Sequence, residues 1–98
     1  MKKVVTIYTE STPNPATMKF VANSYLLEEG SVEYTTREKT NNCPLARQLF
    51  DFSGICGVFI TANFITLTKS SDTDWFELNP ILREFIKQYI ESGQPIFT

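Results

Sequence analysis

The segment Gly57–Lys69, which reads GVFITANFITLTK, constrains the fold more than any other part of the chain. β-Branched and aromatic residues run on both sides of Ala62-Asn63, and asparagine tolerates the left-handed backbone that a tight turn needs. The pattern therefore predicts a two-stranded hairpin with these two residues as its turn. The predicted opposing pairs are Thr61 with Phe64, Ile60 with Ile65, Phe59 with Thr66 and Val58 with Leu67.

This register divides the hairpin into two faces, because opposed residues point to the same side of a sheet. One face is aliphatic and consists of Val58, Ile60, Ile65 and Leu67. The other face combines phenylalanine with threonine and consists of Phe59, Thr61, Phe64, Thr66 and Thr68. The aliphatic face is expected to cover a core, so the second face is the one whose role needs an explanation.

Three further strands are predicted ahead of the hairpin, because apolar and polar residues alternate with a period of two. They span Lys3–Thr9, Thr17–Ala22 and Ser31–Arg37. The segment Glu10–Pro15 is predicted to be a loop, since its two prolines lack backbone donors. The polar segment Glu38–Asn42 is expected to be exposed.

A first helix is predicted to open at Cys43-Pro44, because proline suits the first helical position, and to end at Ser53-Gly54. The helix dipole lowers the pKa of a thiol at this position, which makes Cys43 the more reactive of the two cysteines. We favour a capping role for Cys43, because no second thiol stands at C-x-x-C spacing. Cys56 is expected to be a buried small hydrophobic residue.

A second, longer helix is predicted to begin at Asn79 as N-cap with Pro80 after it, following a single helical turn at Trp75–Leu78. Gly93 is expected to end it. On a helical wheel the apolar half consists of Leu78, Ile81, Leu82, Phe85, Ile86 and Tyr89.

The predicted order is β-β-β-α-β-β-α, which indicates an α+β fold. Short connections favour antiparallel neighbours, and two helices with one apolar stripe each cover only one face of a five-stranded sheet. We therefore expect a two-layer sandwich with one sheet face open. A chain of 98 residues, 42% of them hydrophobic, is predicted to form a single domain over residues 1–98.

Net charge and hydropathy exclude some classes of partner. The chain carries nine basic and eleven acidic residues and a net charge of −2, and dispersed basic residues do not favour binding to nucleic acid. No apolar run approaches the roughly 20 residues that span a bilayer, and the N-terminus does not read as a signal peptide. We therefore expect a cytoplasmic protein with neither a nucleic-acid nor a membrane partner.

Catalytic and metal-binding patterns are sparse. The chain has no histidine, which removes the commonest general base, and no glycine-rich loop ahead of a helix. Asp72 and Asp74 form a D-x-D pair at a helix start, where carboxylates usually serve as caps. Two cysteines cannot complete an iron–sulfur cluster in one chain, although two chains could pool Cys43 and Cys56.

The open sheet face is the stronger candidate for a functional site. We call the following predicted set the open face: Val4, Thr6, Tyr8, Lys19, Val21, Glu33, Thr35, Phe59, Thr61, Phe64 and Thr66. Grouped aromatic and valine side chains on a surface usually meet a partner or a second copy of the chain. The candidate partner-binding residues are Tyr8, Val21, Phe59, Thr61, Phe64 and Thr66.

Four blocks together carry a family resemblance. TPNPATMKF at Thr12–Phe20, CPLARQLF at Cys43–Phe50, the hairpin at Gly57–Lys69 and the pair Asp74-Trp75 resemble the N-terminal domain of Nfu/NifU-type iron–sulfur cluster scaffold proteins. The resemblance covers essentially Val5–Gly93. It implies an interaction role, with the cluster held by the C-x-x-C thiolates of another domain.

The chain differs from the family in two respects. It has no C-x-x-C motif, and Cys43 stands where the family commonly has serine. The leading hypothesis is a non-enzymatic module of iron–sulfur cluster assembly that binds a scaffold, a carrier or an apo-client protein and holds no cofactor by itself. The alternative is an iron-binding homodimer that uses Cys43 and Cys56 of both chains. A third hypothesis, a thiol enzyme, lacks a proton acceptor near Cys43.

Overall fold

The computed structural model of the protein describes residues 4–98, so Lys3 at the start of the first predicted strand lies outside the described residues. The strands are β1 (Ile7–Ser11), β2 (Thr17–Ala22), β3 (Leu27–Tyr34), β4 (Ile55–Ala62) and β5 (Phe64–Lys69). The helices are α1 (Pro44–Leu49) and α2 (Trp75–Glu91), and a 3₁₀ turn spans Arg37–Lys39. The α+β architecture with a five-stranded sheet and two helices is confirmed.

The five strands are antiparallel throughout and follow the order β1-β2-β5-β4-β3. The predicted β4–β5 register is confirmed at all four pairs. The left-handed residue of the turn is Ala62 (φ 49°), however, and not Asn63. Asn63 instead ties the turn to β2, because its Nδ2 donates to the carbonyl oxygen of Ala22 at 3.0 Å.

The alternation predicted for β1 is confirmed, although the strand lies further along the chain than predicted. Val5 is buried and Val4 is exposed. The backbone of Val4 and Thr6 is held by the side chain of Asn23 at 3.0 and 3.2 Å, so regular pairing starts only at Ile7. The strand then continues through Glu10 and Ser11, which were predicted to be a loop.

The third strand also differs from its predicted bounds. It begins at Leu27, four residues before Ser31, and its pairing with β4 shifts register between those two residues. It ends at Tyr34, before the predicted end at Arg37, where a 3₁₀ turn begins. Thr40 was expected to be exposed with its neighbours but is fully buried, and its hydroxyl donates to the carbonyl oxygen of Arg37.

Helix α2 begins at Trp75, so the prediction of an N-cap at Asn79 is wrong. Asp74 is the N-cap, and its Oδ1 accepts from the amide of Phe76 at 2.9 Å. The indole Nε1 of Trp75 donates to the carbonyl oxygen of Pro15 at 3.1 Å. This contact anchors the first turn of the helix to the loop before β2, and Pro80 lies inside the helix.

The core lies between the sheet and the two helices. Leu82, Ile86 and Tyr89 of α2 and Leu45 and Leu49 of α1 are buried in one cluster with the aliphatic face of the hairpin. Ile81 was assigned to the apolar half of the wheel but is 55% exposed, because the strip of α2 that contacts the sheet is narrower than that half. Gly93 has φ 77° directly after the C-cap Ser92, as predicted for the helix end.

Candidate interaction surface

The open face is organised as two rows of side chains that run across the sheet. In the first row Tyr8 pairs with Val21, Val21 with Phe64, and Phe64 with Thr61. In the second row Lys19 pairs with Thr66, Thr66 with Phe59, and Phe59 with Glu33. The structure therefore brings the six candidate partner-binding residues together on four adjacent strands, opposite the helical layer.

These residues differ in how much of each side chain solvent can reach. Tyr8 on the edge strand β1 is 53% exposed, and Phe59, Phe64, Thr61 and Thr66 are half-buried. Val21 is only 7% exposed, although it points to the same side. Because Val21 stands in register between Tyr8 and Phe64, the two larger rings limit its contact with solvent. Val21 therefore supports the neighbouring rings and leaves little surface of its own for a partner to contact.

Lys19 belongs to the second row and has two contacts on the open face. Its Nζ lies 4.2 Å from the centroid of the Phe64 ring and 3.6 Å from a carboxylate oxygen of Glu10. A cation over a phenylalanine ring is attracted to the ring face. Lys19 was placed on this face by alternation but was left out of the candidate partner-binding residues, and its spacing of two residues from Val21 on the same strand could have indicated it.

Cys43 is the N-cap of α1, as predicted. Its Sγ accepts from the amide of Ala46 at 3.4 Å, and the residue is fully buried. Burial raises the pKa of the Cys43 thiol, although the hydrogen bond from Ala46 acts in the opposite direction. The expectation of a lowered thiol pKa at this helix end is therefore wrong, because desolvation outweighs the hydrogen bonds that favour the thiolate.

Cys56 is exposed, so the prediction of a buried residue is wrong. The pairing of β4 with β5 shifts register between Ile55 and Gly57, which leaves Cys56 as the extra residue of a bulge. That prediction depended on the residue type of Cys56, and residue type does not show that a bulge turns the side chain towards solvent. The two thiols are free and lie in opposite environments, one enclosed and one facing solvent.

Within residues 4–98 no three histidine, cysteine, aspartate or glutamate side chains are grouped so that they could hold a metal ion. The two carboxylates of the D-x-D pair have local partners, as expected for a helix start. Asp72 accepts from the hydroxyl of Ser70, which lowers the pKa of its carboxyl group, and Asp74 caps α2. A shallow cavity of about 430 Å³ includes both carboxylates in its lining, which is otherwise formed mainly by serine, threonine and Glu77 side chains.

Comparison with known families identifies the chain. The family model described as "Scaffold protein Nfu/NifU N terminal" matches residues 7–93. The chain belongs to this family. The match confirms the resemblance carried by the four sequence blocks, and the relatives below link this family to iron–sulfur cluster scaffolds.

Curated relatives share the Nfu/NifU N-terminal domain at moderate identity. The chain is 33% identical to the mitochondrial NifU-like protein 5 of Arabidopsis thaliana over 98% of its own length and 35% of the relative. It is 38% identical to the human mitochondrial NFU1 iron–sulfur cluster scaffold homolog over 94% of its own length and 37% of that relative. The chain thus spans about a third of the length of these relatives.

Solved structures show the same fold. A NifU-like protein from Saccharomyces cerevisiae superposes with a TM-score of 0.84 at 22% identity, over 97% of this chain and 86% of the other. A crystallised protein from Staphylococcus aureus superposes with a TM-score of 0.64 at 23% identity, over 83% of this chain and 98% of the other. At these identities the likeness concerns the two-layer architecture alone.

The expectation of a cytoplasmic location is wrong, because the plant and human relatives that match almost the whole chain are named mitochondrial. Among the described residues no helix is both long enough and apolar enough to cross a membrane.

Proposed function

We propose that this chain is a non-enzymatic protein-interaction module of iron–sulfur cluster assembly or delivery. In this proposal the open face binds a scaffold, a carrier or an apo-client protein. Membership of the Nfu/NifU N-terminal family supports the link to cluster assembly. The observation that carries the interaction role is the row in which Tyr8, Val21, Phe64 and Thr61 stand side by side across four strands.

The two cysteines support a model in which the partner protein, and not this chain, holds the cluster. A cluster site normally needs four cysteine thiolates, and this chain has two cysteines. Cys43 is enclosed in the core and already accepts a backbone hydrogen bond. The alternative homodimeric site would have to open the packing around α1 before Cys43 could reach iron, so the geometry favours the interaction module.

An anaerobic NMR titration with a separate C-x-x-C cluster carrier tests the proposal. Using the ¹⁵N-labelled chain, we expect the carrier to shift amide signals of Tyr8, Val21, Phe59 and Phe64. Phe64→Ser should weaken binding about tenfold, since aromatic anchors carry much of the energy of an interface. The matched control is Phe76→Ser, because Phe76 is an 86% exposed phenylalanine on α2, in the other layer.

Three outcomes would count against the proposal. Shifts confined to α2, or equal losses of affinity in Phe64→Ser and Phe76→Ser, would show that the open face is not the binding surface. Absence of shifts at saturating carrier would remove the carrier as a partner. Reconstitution with iron and sulfide distinguishes the homodimeric site, which would give visible absorbance that Cys56→Ser abolishes.

A further inference from the structure

Acidic side chains line one margin of the open face. Glu33 stands directly opposite Phe59 in the register of β3 and β4. Glu28 and Glu29 are exposed in the irregular part of β3. They directly precede Gly30, whose carbonyl oxygen accepts from the hydroxyl of Thr61 at 2.8 Å, so this stretch of the edge strand β3 borders the first row. We call Glu28, Glu29 and Glu33 the acidic margin.

The charge of the acidic margin is not balanced within the described part of the chain. The three ion pairs among residues 4–98 join Lys19 with Glu10, Arg37 with Asp51, and Lys87 with Glu91. None of them includes a residue of the acidic margin. Lys19, the basic residue of the open face, is engaged by Glu10 and by the ring of Phe64.

This charge distribution discriminates between possible occupants of the open face. A second copy of the chain would bring another acidic margin and a lysine that is already paired with Glu10, so the described part of its open face offers no free cation to neutralise the first. Nucleic acid and anionic lipid would be repelled by the same carboxylates. A protein surface with lysine or arginine around an apolar centre would match both the rings and the carboxylates, and complementary charge also speeds association.

We propose that the open face binds a protein surface whose apolar centre is bordered by basic side chains, oriented so that these cations meet Glu28, Glu29 and Glu33. This inference rests on the proposed function and specifies the chemistry of its partner. The apolar centre of that partner packs on Phe59 and Phe64. Its basic border selects the orientation across the sheet, because the carboxylates without an ion pair lie on the β3 side, while Glu10 on the β1 side is paired with Lys19.

Two synthetic amphipathic peptides with identical leucine positions provide the probe. One carries lysine at every polar position, and the other carries glutamate. We expect the lysine peptide to bind the intact chain about tenfold more tightly than the glutamate peptide at low salt. The difference should shrink between about 0.02 M and about 0.3 M salt, because exposed charges are screened over that range.

Two variants with the same total change of charge locate the effect. The first reverses the acidic margin with Glu28→Lys, Glu29→Lys and Glu33→Lys. The second reverses three acids of α2 with Glu77→Lys, Glu84→Lys and Glu91→Lys. We expect the first variant to lose the preference for the lysine peptide and to gain affinity for the glutamate peptide. The second should keep the preference, because its charges lie in the helical layer.

Equal effects of the two triple variants would overturn the inference, since net charge alone would then explain binding. A preference unaffected by either variant would overturn it as well, and the acidic margin would then serve only to keep the β3 edge from pairing with other strands. Neither outcome affects the proposed function if Phe64→Ser still weakens carrier binding. Loss of that effect would instead remove the proposed function itself.

Discussion

The thiol of Cys43 is enclosed by the core, and the pKa of this group is raised above its ordinary value of 9.0 because burial disfavours the thiolate. An unfolded chain exposes the same thiol to water, where it deprotonates near the ordinary value. Above that pH the folded state therefore holds more protons than the unfolded state. The free energy of unfolding consequently falls as pH rises from the ordinary pKa towards the raised one.

This linkage predicts a loss of stability at alkaline pH that depends on Cys43. Urea denaturation between about pH 8 and about pH 10.5 should show a fall in the free energy of unfolding that is steeper in the native chain than in Cys43→Ser. Serine retains an oxygen that can cap α1 but does not titrate in this range. Burial also raises the pKa values of Tyr34 and Tyr89 in both proteins, and the Cys43 thiolate raises them further in the native chain, so its removal acts in the same direction. Parallel pH profiles would contradict the prediction.

The start of α2 allows the observed N-cap, Asp74, to be compared with the predicted N-cap, Asn79. Asp74 uses its carboxylate to accept from the amide of Phe76, which is one of the amides left without a partner inside the helix. Asn79 lies within the helix, where its Oδ1 is buried and accepts no hydrogen bond from the described residues. A buried polar atom without a partner costs stability.

Alanine substitutions at these two positions should therefore have opposite effects. Asp74→Ala should lower the free energy of unfolding by about 1 kcal/mol, the usual loss for an N-cap. Asn79→Ala should cause no loss, and a gain of up to about 1 kcal/mol is expected because an unpartnered oxygen is removed and alanine favours helix. Urea denaturation measures both. A greater loss in Asn79→Ala than in Asp74→Ala would restore Asn79 as the cap.

Local alternation predicted some elements correctly, but it misplaced the bounds of β1 and β3. The bounds of β2 and the register of β4 with β5 follow from side-chain period and turn position, both of which lie within a few residues. The first residue of α2 depends on Trp75, whose indole bonds to Pro15, sixty positions away in sequence. The residues around Asn79 and Pro80 give no indication of this contact between Trp75 and Pro15.

At the scale of the whole molecule, the two faces of the sheet differ in role. One face packs in the core, and the other is the open face, which is proposed to bind a partner protein. Ile60 has no exposed surface, whereas its neighbour Phe59 is half-buried on the open face opposite Glu33. The stability of the domain therefore depends on one side of β4, and the proposed interaction depends on the other. Adjacent positions along this strand should respond very differently to the same substitution.

Ile60→Lys should unfold the chain, with a loss above about 4 kcal/mol, because it places an unpaired charge in the core. Phe59→Lys should leave the fold intact with a loss near about 1 kcal/mol, since the lysine can reach solvent and faces Glu33. Circular dichroism with urea denaturation measures both variants. Equal tolerance at the two positions would contradict the division of β4 into a core side and an open side.

The sequence by itself determined the α+β class, the hairpin register, the side of the sheet on which each candidate residue lies and the family, because alternation and local motifs are written within short segments. Tertiary structure decided the exposure of Cys56, the raised pKa of Cys43, the hydrogen bond of Trp75 to Pro15 and the low accessibility of Val21. Each of these depends on which residues from other elements pack nearby, and on a bulge or a cap that shifts the regular period. Burial and hydrogen bonding are set by those neighbours, so residue type alone does not specify them.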